Sequence, residues 1–219
     1  MNLDWSVVTN HWPQLAHGVL LTVLLTVCTM LIAVPGGILL ASMRLSRFRV
    51  LSASSACFVE FFRNVPIILV VYWAFYVMPV LSGLSLSPFM TGLVALALNN
   101  SAYNSETFRG GINSIRKGQR EAGLALGMSS AQTFFKVVLP QAWRRVLPVL
   151  ASGWVSLFKD TSLVSVIAVG ELAYTALQIR SQTFRVMEML TAMAVIYWLL
   201  GYPQAKLVDW INKKYGVKE

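Results

Sequence analysis

The chain has 219 residues, of which 56% are hydrophobic and 12% are charged. Soluble domains carry roughly 25% charged residues, and the mean hydropathy of this chain is +0.63. This composition argues against a soluble enzyme, a disulfide-stapled secreted domain and a disordered tail. The net charge of +9 comes from Lys and Arg residues that lie between apolar runs. We therefore interpret it as a signal of membrane topology, with no nucleic acid among the expected partners.

Five segments are predicted to cross a bilayer, because a span needs roughly 20 mostly apolar residues. They cover about residues 18–42, 64–80, 88–109, 146–170 and 187–207 of a single transmembrane domain, 1–219. A cytoplasmic loop is expected at about 110–143, and the polar segment 171–188 is expected outside as a helix or hairpin. The predicted fold class is an all-α integral membrane protein.

The distribution of basic residues predicts the orientation. Fifteen of the 18 Lys and Arg residues fall between spans one and two, between spans three and four, or after span five, where Lys218 is the last. Segments rich in Lys and Arg remain in the cytoplasm. The N-terminus, which has no Lys or Arg before Arg44, is therefore expected in the periplasm and the C-terminus in the cytoplasm.

Metal and nucleotide motifs are not found in the sequence. Cys28 and Cys57 are isolated, and His11 and His17 are six residues apart, which is not the spacing of a helical metal pair. The chain has no Gly-x-x-x-x-Gly-Lys-[Ser/Thr] phosphate loop and no arrangement of nucleophile, base and acid within the spans. We expect no enzyme activity, no metal and no cofactor in this chain, so any ATP must be used by a partner.

The loop between spans three and four carries the most specific pattern. The small residues Ala122, Gly123, Ala125 and Gly127 predict a short helix that another surface can approach closely. Gly127 can end this helix in the left-handed conformation. Ser129 and Gln132 have the capping-box spacing, so a second helix is predicted to begin there and run to Pro140. A helix that merely links two spans is the alternative interpretation.

This loop resembles the EAA loop of bacterial ABC-importer permeases. The matching positions are Glu121 and Ala122, Gly127 six residues after the Glu, a β-branched residue at 137, and Leu-Pro at 139–140. Further matches at 62–66, 101–103, 109–112, 125–128, 139–142 and 159–165 are similar to the polar amino-acid permease family, the branch of the histidine and glutamate/aspartate importers. The resemblance covers roughly residues 15–212.

The resemblance implies a type I ABC importer permease fold with about five transmembrane helices. It implies a subunit of the inner membrane that pairs with itself or with a homologous second permease. Two cytoplasmic ATPase subunits would use ATP and Mg, and a periplasmic binding protein would deliver a polar amino acid. The loop helix would sit in a groove of the ATPase, with coupling through a set of five residues: Glu121, Ala122, Gly123, Ala125 and Gly127.

Ionisable residues inside the spans are the second informative feature, since each costs about 2.5–3.5 kcal/mol at the bilayer centre even on lenient scales. Asn99, Tyr103 and Glu106 share one helical face, as do Ser156 and Asp160. If both faces line one cavity, they could hold an α-ammonium group or a polar side chain. Together with the resemblance, this gives six candidate substrate-binding residues: Asn99, Asn104, Glu106, Asp160, Thr161 and Ser162.

Two alternatives remain open at this point. Lys159 can neutralise Asp160 or Glu106 as a structural pair, with the asparagines bridging helices. The whole chain can also be a secondary amino-acid transporter or a channel subunit that works without nucleotide. That function explains the charges inside the spans, but it does not explain the small-residue loop with its fixed spacing.

Overall fold

The structure, a computed structural model, describes residues 3–216. Lys218, one of the basic residues used for the orientation, lies outside the described residues. The secondary structure of the described range is helical. The α-helices are α1 Ser6–Asn10, α2 Trp12–Arg44, α3 Arg49–Asn64, α4 Ile67–Tyr72, α5 Met78–Ser82, α6 Pro88–Asn113, α7 Lys117–Ala125, α8 Ser130–Thr133, α9 Leu139–Asp160, α10 Leu172–Thr183 and α11 Val186–Tyr215.

Two of these helices, α2 and α11, are long and apolar enough to cross a membrane on their own. Two further pairs qualify if each is a broken span: α3 with 67–82, bent by 105°, and 130–167 with α10, bent by 47°. Helix α6 does not qualify by hydropathy, because it carries Asn99, Asn100 and Asn104 in its 26 residues. The division into five spans and their boundaries stay predictions.

The connection between the first two predicted spans is an amphipathic helix, α3, that turns sharply into α4. Val65 adopts an extended conformation with ψ 128°, as expected for a residue that precedes a proline. Pro66 is the N-cap residue of the next helix, α4. The Oγ atom of Ser55 on α3 donates a hydrogen bond of 2.8 Å to the Leu40 carbonyl of α2, which holds α3 across the end of α2.

The predicted second loop helix begins where expected but does not end at Pro140. The capping box of Ser129 and Gln132 is confirmed, with both reciprocal hydrogen bonds present. The chain then passes through a π-helical turn, Phe134–Val138, directly into α9. The predicted end was wrong because the helix continues past Pro140 by way of this π-helical turn.

A proline explains the position of each of the two π-helical turns. The turns Trp73–Val77 and Phe134–Val138 each end two residues before a proline, at Pro79 and Pro140. A proline lacks the amide N–H, and its ring crowds the carbonyl four residues earlier. A wider turn at this point relieves that crowding, so the helix continues past the proline.

The fourth predicted span, 146–170, is not one regular helix. Helix α9 ends at Asp160, and a 3₁₀ segment, Thr161–Ile167, follows it. Thr161 and Ser162 donate side-chain hydrogen bonds of 2.8 Å to carbonyls three residues earlier, which favours the tighter 3₁₀ winding. Ala168, with φ 61°, turns the chain towards α10, so the polar segment 171–188 is a helix followed by a turn into α11.

The core is organised around the close contact of α2 with α6. A Cβ atom at Gly36 would lie 2.5 Å from Oγ of Ser101, and one at Gly37 would lie 2.5 Å from Cβ of Asn104. Small residues of this kind let two helix backbones approach closely inside a membrane. The largest buried cluster forms beside this contact from α2, α4, α6, α9 and the 3₁₀ segment, and it includes Leu25, Val71, Leu96, Leu157 and Val164.

Candidate functional site

A polar cavity of about 590 Å³ lies between α6 and α9, at the point where α3 bends into α4. Helix α6 lines it with five residues from two adjacent rows of its surface: Asn99 and Tyr103 in one row, and Asn100, Asn104 and Thr107 in the other. Helix α9 contributes Ser152, Ser156 and Asp160, which recur every four residues on one face. The bend between α3 and α4 contributes Arg63 and Asn64. We call this space the central cavity.

Two of the predicted site residues on α6 line the central cavity and also hold helices together. The Nδ2 atom of Asn99 donates a hydrogen bond of 2.7 Å to the carbonyl of Phe62, the last turn of α3. Asn104 is 5% exposed and packs its Cβ against Gly37 of α2. Both asparagines therefore bridge helices, as the structural alternative expected, while their side chains still border the cavity.

Asp160 is the acidic residue that the structure places in the central cavity. It ends α9, is half-buried and lies on the same face as Ser156. Within residues 3–216, Lys159 forms no ion pair with it or with any other carboxylate. Asp160 is thus available to a cationic group that enters the cavity.

Glu106 does not line the central cavity with Asp160. Its carboxylate accepts hydrogen bonds from Arg109, the shortest 2.6 Å, and lies 3.9 Å from both Arg44 and Arg63. Glu60 extends this group through Arg44 at 3.8 Å. We call these five residues the arginine cluster. The two acidic residues expected to share one cavity are therefore separated, and Arg63 belongs to both the cluster and the cavity.

Thr161 and Ser162 do not line the central cavity. Thr161 is fully buried, and the hydroxyls of both residues are engaged with backbone carbonyls of α9. Sequence reasoning missed Asn100, Thr107 and Ser152. The four-residue period that runs back from Asp160 through Ser156 would have found Ser152, whereas no sequence signal placed Arg63 beside the cavity, because that depends on the bend at Pro66.

The predicted coupling segment forms α7 and the turn after it. Glu121, Ala122, Ala125 and Gly127 are exposed, whereas Gly123 is buried. Gly127 adopts the predicted left-handed conformation, with φ 78°. The Gly127 N–H bonds to the Leu124 carbonyl at 3.0 Å and the Met128 N–H to the Gly123 carbonyl at 3.2 Å, which together form a Schellman motif.

The buried Gly123 packs inside the loop. A Cβ atom at this position would lie 2.8 Å from Cγ2 of Thr133 on α8. Because position 123 has no side chain, α7 can pack closely against α8, the helix that continues into α9. The surface left open to a partner consists of the remaining four predicted residues, together with Leu124 and the highly exposed Leu126.

The His, Cys, Asp and Glu side chains are the candidate metal ligands of the chain. Across residues 3–216, no three His, Cys, Asp or Glu side chains come together where they could hold a metal ion. The Nδ1 atom of His11 lies 2.7 Å from the Val7 carbonyl, so this ring is engaged with its own helix turn. Cys28 and Cys57 are both free thiols.

Comparison with known proteins gives the family. Residues 33–217 match the family described as binding-protein-dependent transport system inner membrane component. The glutamate/aspartate import permease protein GltK of Escherichia coli O157:H7 is 33% identical over 218 residues, covering 96% of this chain and 97% of that protein. The glutamine transport system permease protein GlnP of Escherichia coli K12 is 35% identical over 201 residues, covering 91% and 92%.

Solved structures agree with these sequence relatives. The crystal structure of an amino acid ABC transporter with histidines matches with a TM-score of 0.92 and 29% identity, over 98% of this chain and 100% of that one. An inward-facing MetNI methionine ABC transporter matches with a TM-score of 0.61 and 21% identity, over 94% and 96%, and shows the fold alone. The chain belongs to the binding-protein-dependent transport family, as an inner-membrane permease component with the type I ABC-importer fold.

Proposed function

We propose that this chain is the membrane-spanning subunit of an ATP-driven importer that carries a polar amino acid across the inner membrane. The support is that relatives which match nearly its whole length are named for the import of glutamate/aspartate and the transport of glutamine. A periplasmic binding protein delivers the substrate, and a second permease subunit completes the pathway. The N-terminus lies in the periplasm and the C-terminus in the cytoplasm, as the basic residues predict.

The observation that carries the substrate class is the central cavity. Amides, hydroxyls and the guanidinium group of Arg63 surround one carboxylate, beside the largest apolar cluster of the bundle. A polar amino acid presents an α-ammonium group that Asp160 can bind, and further polar groups that the amides can bind. Asn99, Asn104 and Asp160 therefore contact the substrate, whereas Glu106, Thr161 and Ser162 support the helices that carry these residues.

Energy enters the chain through α7. We place its exposed face, with Glu121, Ala122, Ala125 and Gly127, in a groove of an ATPase dimer that hydrolyses ATP with Mg. Closure of that dimer displaces α7, and the contact of Gly123 with Thr133 passes the displacement to α8. The chain is continuously helical from Ser130 to Asp160, so movement at the loop reaches the cavity.

The experiment is uptake by the reconstituted complex. The chain is purified with its associated proteins and inserted in liposomes. Amino-acid uptake is then assayed with the binding protein outside, and with or without ATP inside. We expect uptake that requires ATP and is lost in Glu121→Lys. Asp209→Lys is the matched control, because it makes the same charge change at an exposed position of α11. Uptake that proceeds without nucleotide would instead support a secondary transporter.

A further inference from the structure

Two adjoining cavities lie at the inner end of the bundle, and none of the coupling or substrate-binding residues proposed above lines either of them. One is an apolar groove of about 780 Å³ whose lining is apolar except for Ser42, Arg144 and Tyr215. The other is a basic cavity of about 520 Å³ lined by Arg116, Lys117 and Arg120. They adjoin each other, because Ser42, Ile112 and Phe134 line both.

The apolar groove opens to the side of the molecule. Trp143 is 45% exposed and Phe135 is 64% exposed, and both lie on its wall with Ile38 of α2. Apolar side chains exposed on the flank of a membrane bundle face acyl chains, so a chain can enter this groove from the bilayer. Trp143 also suits a position at the membrane interface.

The basic cavity lies where the helices leave the bilayer. Ser42 and Leu45 line it at the end of α2, and Asn113 lines it at the end of α6. No Asp or Glu of the described range lines either cavity. Within residues 3–216, none of the three cations of the basic cavity forms an ion pair.

The start of α7 adds to this positive potential. Helix α7 begins at Lys117, no side chain caps its N-terminus, and its first turn contains no acidic residue. The first amide groups of a helix attract anions, and phosphate is a common ligand there. Three cations and a helix N-terminus thus surround one end of a site whose other end is apolar.

We infer that these cavities together bind one anionic phospholipid of the inner leaflet, with the phosphate at Arg116, Lys117 and Arg120 and an acyl chain in the groove lined by Ile38, Phe135 and Trp143. A phospholipid joins a phosphate to an apolar chain, and this matches the joined basic and apolar cavities. An ATPase surface would satisfy the cations but leave the groove unexplained, and a second permease copy would fill the groove but leave the cations unexplained. Bound lipid would hold the N-terminal turn of α7 against the ends of α2 and α6.

The test compares lipid retention by the intact complex. The complex is equilibrated in nanodiscs of equal parts phosphatidylglycerol and phosphatidylcholine with identical acyl chains, then extracted and examined by native mass spectrometry. We expect each wild-type permease chain to retain phosphatidylglycerol in preference to phosphatidylcholine. In the variant with Arg116→Gln, Lys117→Gln and Arg120→Gln this preference should fall by about 100-fold, since each of the three charges near the membrane surface contributes about 1 kcal/mol.

Matched variants separate this site from general electrostatics. Lys206→Gln and Lys213→Gln together remove two positive charges from the inner end of α11, outside both cavities, and should leave the preference unchanged. Lys214 is retained, because its Nζ atom lies 5.4 Å from the ring centroid of Tyr215, which lines the apolar groove. Ile38→Trp fills the groove and should reduce retention of the lipid without changing those cations. Equal loss of preference in the α11 variant would overturn the site.

Three other results would also overturn the proposal. Stabilisation of the complex by free glycerol phosphate to the same extent as by phosphatidylglycerol would mean an anion site with no acyl groove. Loss of the ATPase from the triple variant, with unchanged lipid retention, would assign the cations to ATPase docking. Dissociation of the permease pair by Ile38→Trp, again with unchanged lipid retention, would assign the groove to a second copy of a permease.

Discussion

Tyr197 on α11 donates a hydrogen bond of 3.0 Å to the carboxylate of Glu171, which is fully buried at the start of α10. The same carboxylate caps α10 by accepting from the Ala173 amide at 2.8 Å and the Tyr174 amide at 2.7 Å. The Glu171 side chain therefore caps the N-terminus of α10 and also links α10 to α11. A buried acceptor with this many partners is costly to leave unsatisfied.

We predict that Tyr197→Phe lowers the stability of the chain by about 1–3 kcal/mol, because it removes a hydrogen bond from a buried carboxylate. The measurement is thermal unfolding in detergent. Tyr202→Phe is the control, since this tyrosine lies on the same helix but is 51% exposed. If the two variants unfold at the same temperature, the bond to Glu171 contributes nothing to stability.

The contact between α2 and α6 gives a second prediction. Gly37→Ala places a methyl group against Cβ and the backbone of Asn104, so it should destabilise the chain by about 1–3 kcal/mol. Gly110→Ala has no atom within 4 Å of the new Cβ and should be neutral or stabilising, by up to about 1 kcal/mol from helix propensity. Unfolding temperatures measured side by side check this order, and equal temperatures would show that the helices can separate at no cost.

Replacing Asp160 by Asn should affect transport, whereas replacing Glu106 by Gln should affect stability. Asp160→Asn removes the charge that faces the central cavity and should lower uptake by tenfold or more, as expected for losing a charged hydrogen bond of about 1.5–3 kcal/mol, with little change in unfolding temperature. Glu106→Gln leaves Arg44, Arg63 and Arg109 to repel one another and should lower the unfolding temperature. Wild-type uptake by Asp160→Asn would remove this residue from the substrate site.

The contact of Gly123 with Thr133 tests the transmission of movement from α7 to the cavity. Gly123→Ala introduces a Cβ 2.8 Å from Thr133, which should separate α7 from α8 and reduce the amino acid transported per ATP hydrolysed several-fold. Gly201→Ala on α11 is the control, because nothing lies within 4 Å of its new Cβ and the position is outside the proposed ATPase-facing surface of α7. The ratio of uptake to hydrolysis is measured in liposomes. An unchanged ratio in Gly123→Ala would show that movement reaches the cavity by another route.

Local features of the sequence determined the helical membrane class and the details of the loop. The left-handed Gly127 and the capping box of Ser129 and Gln132 depend on residues within one turn of each other, so their spacing is sufficient to predict them. The shared face of Ser156 and Asp160 follows in the same way from helical periodicity, and both residues line the central cavity.

The tertiary structure decided the partners of charged and small residues that are distant in sequence. Glu106 shares a helical face with Tyr103, but the bend at Pro66 brings Arg63 to it, and Arg44 reaches it from the end of α2. The small size of Gly123 was consistent with an exposed coupling position. In the structure, the turn at Gly127 instead brings Gly123 into contact with Thr133. Helical periodicity specifies the face on which a residue lies, whereas only the packing of separate helices specifies what that face meets.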